Sequence, residues 1–346
     1  MNIHQYFLYH VFMTPEAYLH ELLTTCGAYE LSEHDRELLI LDTEGCIYAQ
    51  LVRKSFRKWS IDNEAREHVK KAIHTHFASG TPLHFTFPFG AYKRWNLPSA
   101  PRVDWAEVFS LAYYAAYMAP IAAAYAPGCE FSFVGDDVIV PRLNNYPAEE
   151  VKKWSESFEQ LIKIFRRYLP SNMRFKLLHV RDFYSPEEFE QELNAKYAGG
   201  KAEWDSWDEV TRQAHIASSR HNIKWEGIHD WTGLSDKEKE AKILEAAILH
   251  NVYRQLPRRK AFTRGSDKIC IFPRKISNAI PLGTTKNSSV FFWVGTGILE
   301  RRGETWQERI LSYEQWQERK HELRSMTVSL DGFPLTSIQV DSRVDS

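Results

Sequence analysis

Apolar runs of strand length alternate along this chain with stretches whose apolar positions recur at helical spacing. After Pro82 the run LHFTFPF is followed by a polar loop, an alanine-rich segment and a second apolar run over Glu130–Val140. Such β-branched and aromatic runs predict buried strands, and the uncharged segment between them predicts a helix buried on most sides. Parallel strands need a crossover helix. We therefore predict an α/β protein with a mostly parallel sheet, flanking helices and a helical insertion.

Three regions are predicted along the chain. They are an α+β lead-in over 1–80, a main domain over 81–300, and a C-terminal helix and weakly ordered tail over 301–346. The elements predicted within them, in chain order, are a helix over 14–27, two strands over 37–52, helices over 60–79 and 146–168, a charged helical segment over 185–265, late strands over 267–276 and 288–297, and a helix over 306–324.

Composition narrows the class of protein. Of 346 residues, 43% are hydrophobic and 26% are charged, which predicts a full core rather than general disorder. A formal net charge of −1 argues against a nucleic-acid partner held by a global basic field. Aromatic residues make up 14% of the chain. They are compatible with a pocket for a flat or amphipathic ligand, although a core uses the same residues.

The cysteines and the apolar segments predict a cytoplasmic protein. The four cysteines lie far apart without a CxxC pair, which indicates a reducing compartment rather than a disulfide framework or a zinc ribbon. The first twenty or so residues lack the basic region and clean apolar run of a signal peptide. Residues 108–129 carry no charge, but Pro120 interrupts them and predicted strands flank them. We therefore predict a buried helix there and no membrane partner.

Basic side chains follow two of the predicted strands. Lys93 and Arg94 come after the first, with Arg102 a few residues on, and Arg274 and Lys275 come directly after the strand ICIF. Cations beyond the carboxyl ends of strands and before a helix can bind phosphate or carboxylate groups, although lone cations are more often only solvated. If the two strands are neighbours, the two basic groups would form one anion pocket.

Two adjacent carboxylates, Asp136 and Asp137, interrupt the apolar run that follows the uncharged helix. Adjacent carboxylates supply the hard oxygen ligands that Mg²⁺ prefers. The same VGDDV sequence also fits a β-turn in which the aspartates accept hydrogen bonds from backbone N–H groups. The residues alone leave both interpretations open. Glu107 stands three residues after Asp104, the spacing of a capping box, so we expect a structural role for it.

Two further sets of polar residues give weaker signals. His215, His221 and His229 have neither the spacing of a helical zinc pair nor that of a zinc finger, so we expect no metal site there. The basic run over 253–265 is most simply a solvated helix end followed by a loop.

A series of short motifs occurs in a distinctive order along the first half of the chain. In sequence they are Phe87-Pro88-Phe89, Lys93, Asp104-Trp105-Ala106-Glu107, Tyr125-Ala126-Pro127-Gly128 and Val134-Gly135-Asp136-Asp137, followed much later by the stretch from Ile269 to Pro273. This order resembles the isocyanide (isonitrile) synthases, a family grouped with the pyoverdine-cluster and dityrosine-biosynthesis proteins. The resemblance is best over residues 82–168. In that family the lysine follows closely behind the proline, whereas here Gly90-Ala91-Tyr92 stand before Lys93.

The resemblance implies a Rossmann-like α/β enzyme that converts the α-amine of an amino acid to an isocyanide. The carbon would come from a pentulose phosphate such as ribulose 5-phosphate. No metal or other cofactor is implied, and a separate oxidising tailoring enzyme would process the product. The candidate residues are, for catalysis, Asp136, Asp137 and Lys93 and, for substrate binding, Arg94, Arg102, Arg274 and Lys275.

The sequence is also compatible with two other functions. A Mg²⁺-dependent transferase acting on a nucleotide or nucleotide-sugar would use Asp136 and Asp137 as metal ligands. A non-catalytic ligand-binding or scaffold protein would keep the fold without turnover. In an enzyme, the helical segment 185–265 could form a lid that excludes water, with Gly199-Gly200 as its hinge.

Overall fold

The computed structural model describes residues 13–328, 330, 332, 335 and 337–341. Within them the chain forms twelve α-helices and nine strands. The helices are α1 (Pro15–Thr25), α2 (Glu33–Leu41), α3 (Thr43–Leu51), α4 (Asn63–Ser79), α5 (Trp105–Ala124), α6 (Val140–Asn144), α7 (Ala148–Phe165), α8 (Pro186–Ser206), α9 (Glu209–Asn222), α10 (Asp236–Arg254), α11 (Pro257–Arg264) and α12 (Tyr313–Arg319). The strands are β1 (Leu83–Phe89), β2 (Cys129–Gly135), β3 (Met173–His179), β4 (Ile269–Phe272), β5 (Ala279–Pro281), β6 (Gly295–Arg302), β7 (Thr305–Ser312), β8 (Leu323–Met326) and β9 (Ile338–Asp341).

The main sheet contains β1 to β5, all parallel, in the order β3-β2-β1-β4-β5. Phe85 of β1 is in register with Phe131 of β2 on one side and with Ile269 of β4 on the other. The carboxyl ends of β1 and β4 are therefore neighbours, as a shared anion pocket requires. The predicted α/β class with a mostly parallel sheet is confirmed, and α8 to α11, between β3 and β4, form the helical insertion.

Helix α5 crosses from β1 to β2 and is buried over most of its length. It begins with the predicted capping box: Asp104 accepts a hydrogen bond from the backbone of Ala106, and Glu107 accepts one from the backbone of Asp104. Aromatic rings fill the space between the helix and the sheet. The Phe87 ring centroid lies 5.4 Å from that of Tyr114. Apart from Glu107 in its first turn, α5 has no charged residue, because its burial leaves no solvated face for charge.

A buried ionic cluster joins the loop after β1 to the start of α5. The Lys93 ammonium lies 2.9 Å from Asp104 Oδ1 and 2.9 Å from Glu107 Oε2, and it donates to the Phe292 carbonyl at 2.9 Å. Its side chain is fully buried. Thr296 at the start of β6 donates to the second oxygen of Asp104. Burial acts to raise the pKa of Glu107, and the adjacent Lys93 ammonium opposes this shift by favouring the ionised carboxylate. One cation therefore fixes segments from three parts of the chain.

The second sheet contains the last four strands in the order β7-β6-β9-β8. Strands β6 and β7 form an antiparallel hairpin, and β9 pairs parallel with β6 and antiparallel with β8. Gly297 of β6 lies directly against the start of α5, where a Cβ atom would overlap the backbone nitrogen of Ala106. This close approach requires glycine and packs the second sheet on the helix of the first.

Five predicted elements differ in the structure. The two strands over 37–52 are instead α2 and α3, because Ser32 and Asp42 cap two helices there. The described part of 1–80 is thus helical. The helix over 306–324 begins only at Tyr313, because 305–312 pairs with β6 as a strand. The strand over 130–140 ends at Gly135, where Asp136 starts a turn. The late strand over 288–297 begins only at Gly295.

The remaining expectations concern the chain ends, the cysteines and the apolar segments. Residues 1–12, where part of the signal-peptide prediction falls, lie outside the described residues, as does much of the tail from Asp331. Ile338–Asp341 within that tail form β9. All four cysteines are free and buried. Among the helices of the described residues, none has the length and apolar character needed to cross a membrane.

Lys93→Met is expected to lower the free energy of unfolding by about 3–5 kcal/mol, because it leaves the buried carboxylates of Asp104 and Glu107 without a counter-ion. Urea unfolding measures this loss. Lys71→Met, at an exposed position of α4, is the matched control and should cost less than about 0.5 kcal/mol. Equal small losses in both variants would contradict a structural role for Lys93.

Candidate functional site

The main cavity of the described residues has a volume of about 680 Å³ and lies at the carboxyl edge of the parallel sheet. Its floor is formed by Pro88 to Gly90 at the end of β1, Asp136 after β2, and Phe272 at the end of β4. Strand order reverses between β1 and β4, since β2 and β3 lie on one side and β5 on the other. Open α/β sheets bind ligands at this switch point.

The polar lining of the cavity is predominantly cationic. Six cations and two carboxylates contribute to it, together with three histidines and four small polar side chains. In chain order these are Arg94, Asp136, Asn144, His215, Ser218, Ser219, His221, Asn222, His250, Arg254, Arg259, Arg264, Arg274, Lys275 and Glu314. A chain with nearly balanced charge therefore concentrates positive charge in one recess. Such a recess attracts anions strongly because its low-dielectric walls focus the field.

Asp136 holds one of these cations in place. Its two carboxylate oxygens accept hydrogen bonds from Arg259 Nε at 3.0 Å and Arg259 Nη2 at 2.9 Å. The Tyr253 hydroxyl donates to Oδ1 at 2.7 Å, and the Arg259 guanidinium stacks over the Tyr253 ring. Arg259 is buried. A bidentate pair of this kind fixes the plane and direction of the guanidinium.

Arg254, Arg264, Arg274 and Lys275 form no ion pair with a carboxylate of the described residues. The positive charges of this cluster lower the pKa values of neighbouring basic side chains. Burial, followed by the charges of Arg254 and Arg259, lowers the pKa of His250 to about 3, so its imidazole is neutral at physiological pH. Burial together with Arg259 and Arg264 lowers the pKa of Arg254 to about 10. The cluster therefore has uncompensated positive charge available to an anionic ligand.

Aromatic side chains form the apolar wall of the cavity. Phe291 and Trp293 stack with ring centroids 4.6 Å apart, and Tyr92 and Phe272 contribute to the same lining. The Arg274 guanidinium lies 4.6 Å from the Phe291 ring centroid, which places a cation at the edge of this wall. The recess can therefore hold a flat apolar group beside an anionic one.

Helix α9 covers the cavity and contributes His215, Ser218, Ser219, His221 and Asn222 to its lining. The expected role of the insertion as a lid stays a prediction. The hinge expected at Gly199-Gly200 is wrong, because both glycines lie inside α8. Gly200 also packs closely on α10, where a Cβ atom at this position would lie only 2.7 Å from a methyl carbon of Val252.

Glu314, the first-turn glutamate of α12, brings a carboxylate to the cavity from beyond the parallel sheet. Its Oε1 accepts a hydrogen bond from Arg94 Nη2 at 3.0 Å and lies 3.5 Å from Nδ1 of His221. Glu314 thus connects the loop after β1 with the covering helix α9.

The structure brings together four of the seven residues predicted for the site. Asp136, Arg94, Arg274 and Lys275 all line the cavity. Arg102 is exposed and outside this lining.

The other two candidates are engaged elsewhere. All three hydrogen-bond donors of Lys93 are taken up by the buried ionic cluster described above. Asp137 Oδ1 accepts from the Val180 backbone at 3.0 Å, and its Oδ2 lies 3.1 Å from Arg181 Nε. Asp136 and Asp137 therefore point to different partners and do not converge as a pair of Mg²⁺ ligands. Asp137 accepts from a backbone N–H group, as the turn interpretation expects, whereas Asp136 instead binds the side chains of Arg259 and Tyr253.

Sequence reasoning missed Arg254, Arg259, Arg264 and Glu314. The basic run over 253–265 was expected to be solvated, whereas Arg259 is buried and all three arginines line the cavity. A weak signal was present, because Pro257 follows Arg254 closely and favours the start of a new helix, which turns the run back on itself. Glu314 left no usable signal, because nothing in the sequence shows where α12 packs.

One solved structure has a fold that agrees with this architecture. The fold is similar to that of the PvcA protein from Pseudomonas aeruginosa, with a TM-score of 0.64 and 14% sequence identity over 86% of this chain and 99% of that chain. A CDPS from Fluoribacter dumoffii has a TM-score of 0.31 and 14% identity over 65% of this chain and 86% of its own. No protein-family model matches the sequence, and no curated protein matches it. At this identity the similarity to PvcA shows a shared fold.

Arg254→Gln and Arg274→Gln are each expected to weaken the binding of inorganic phosphate by about tenfold or more, because each removes a charge-assisted contact to the anion. Isothermal titration calorimetry at low ionic strength measures the affinity. Lys260→Gln, at an exposed position of α11 outside the cavity lining, is the matched control and should bind as the wild type does. Variants that match the control, or a wild type that binds no phosphate, would contradict the anion site.

Proposed function

We propose that this protein is a biosynthetic enzyme that acts on the α-amine of an amino acid. It would form an isocyanide with a pentulose phosphate, such as ribulose 5-phosphate, as carbon donor. The observation that carries the proposal is one covered cavity that combines unpaired arginines with an aromatic wall. The fold shared with PvcA supports the Rossmann-like α/β fold that the motif resemblance implies.

The cationic part of the cavity suits the phosphate of the sugar. Arg254, Arg264 and Arg274 supply planar donors without a carboxylate partner among the described residues, and planar guanidinium groups bind phosphate oxygens in bidentate fashion. We assign Asp136 to hold Arg259 in its orientation rather than to exchange protons, because Arg259 and Tyr253 occupy its oxygens.

The aromatic part suits the side chain of the amino acid. Tyr92, Phe291 and Trp293 offer ring surfaces, and the volume of about 680 Å³ is within the range that holds two small substrates together. Condensation of an amine with a ketone releases water, so the covering of the cavity by α9 would favour imine chemistry. Neutral His250 can accept a hydrogen bond within the lining, but its pKa of about 3 makes it too weak a base to serve as the general base.

Mass spectrometry of purified protein incubated with the twenty amino acids and ribulose 5-phosphate tests the proposal. One amino acid should yield a product that has gained one carbon and lost two hydrogens, and that reacts with a tetrazine. Arg274→Gln should lower the rate of its formation by about tenfold or more, because the sugar phosphate loses a charge-assisted contact. Lys260→Gln should leave the rate unchanged.

Two results would contradict the proposal in different ways. Binding of the sugar phosphate without turnover of any amino acid would favour a non-catalytic ligand-binding protein. A sugar phosphate that is neither bound nor consumed would remove the proposed substrate, and a response of the melting temperature to Mg²⁺ that EDTA reverses would then favour a metal-dependent transferase.

A further inference from the structure

One wall of the cavity contains a cation, Arg94, and a carboxylate, Glu314, that can form further hydrogen bonds. Arg94 is 7% exposed, and its backbone N–H donates to the Trp293 carbonyl at 2.8 Å. Its Nη2 donates to Glu314, but its buried Nε has no hydrogen-bond partner among the described residues. A buried guanidinium N–H without a protein partner is unfavourable and is the kind of group that a ligand oxygen satisfies.

Glu314 is the complementary group. Of the two carboxylates in the described lining, Asp136 has both oxygens occupied by Arg259, whereas the Glu314 side chain is 48% exposed. Burial alone would raise the pKa of Glu314, but its hydrogen bonds, including the one from Arg94, hold it below the ordinary value. Glu314 is therefore ionised at neutral pH and can accept a hydrogen bond from a ligand cation.

We infer that Arg94 and Glu314 form the subsite for the charged head group of a free α-amino acid. The guanidinium of Arg94 binds the carboxylate, the carboxylate of Glu314 binds the ammonium group, and the aromatic wall at Tyr92 and Trp293 contacts the side chain. The inference rests on the proposed function and assigns residues to one of its two substrates. It also predicts that the protein discriminates against amines without a carboxylate and carboxylates without an amine.

A free α-amino acid is a zwitterion, with a negative carboxylate and a positive ammonium group. Arg94 and Glu314 suit it because their charges are opposite to those two groups. Their hydrogen bond, at 3.0 Å, engages Nη2 of Arg94 and leaves its Nε–H without a partner among the described residues. The half-exposed carboxylate of Glu314 can accept a further hydrogen bond from a ligand. Two opposite charges held side by side bind a molecule that presents the same two charges in reverse. A ligand with only one charge would leave the other protein group unsatisfied, which is the physical basis of strong discrimination.

The test is isothermal titration calorimetry of the wild type, Glu314→Gln and Arg94→Gln with each of the twenty amino acids. For any that binds, its des-amino analogue and its methyl ester are titrated as well. Gln at position 314 keeps an oxygen that can accept from Arg94 but removes the negative charge. Glu318→Gln, an exposed position one turn further along α12, is the matched control. The melting temperature shows that each variant is folded.

The wild type and Glu318→Gln should bind the amino acid about tenfold or more tightly than its des-amino analogue, and Glu314→Gln should lose this preference. Arg94→Gln should instead lose the preference for the amino acid over its methyl ester. A Glu314→Gln protein that keeps the full preference would overturn the inference and leave the proposed function standing. A wild type that binds phosphate but no amino acid would overturn both.

Discussion

The buried ion pair network around Lys93 is the interaction on which the geometry of the cavity depends. A fully buried ammonium must have its charge and all three donors satisfied, and here the acceptors come from the start of α5 and from the Phe292 carbonyl. The neighbours of these residues in the chain, Arg94 and Trp293, line the cavity. The lysine that the motif resemblance would place in catalysis therefore fixes the position of the side chains next to it.

The helical insertion supplies the charge that the sheet alone lacks. Arg254 at the end of α10 and Arg259 and Arg264 of α11 reach the carboxyl edge of the sheet, where Arg274 follows β4. Asp136 compensates one of these charges and orients it, while the others stay unpaired among the described residues. Positive charge is costly to assemble without counter-ions, and binding of an anion recovers part of that cost. This arrangement is the physical reason for proposing a phosphorylated substrate.

The sequence allowed the sheet and part of the site to be predicted, for identifiable reasons. Uninterrupted apolar runs and a capping box are local signals, so β1, α5 and β2 were predictable, and cations after strands converge once those strands are parallel neighbours. The burial of Lys93 in an ionic cluster could not be predicted, because spacing does not show which way a loop side chain points. The insertion arginines and Glu314 were missed because helical periodicity predicts a helix but not the surface on which it packs.

The central claim is that the cavity recognises the phosphate of a sugar phosphate, and one comparison tests it most directly. Wild-type protein is titrated by calorimetry with ribulose 5-phosphate and with ribulose, which differ only in the phosphate group. The account predicts that the phosphate ester binds about a hundredfold or more tightly, because several charge-assisted hydrogen bonds depend on that group. Equal affinity for the two sugars, or no binding of either, would contradict it.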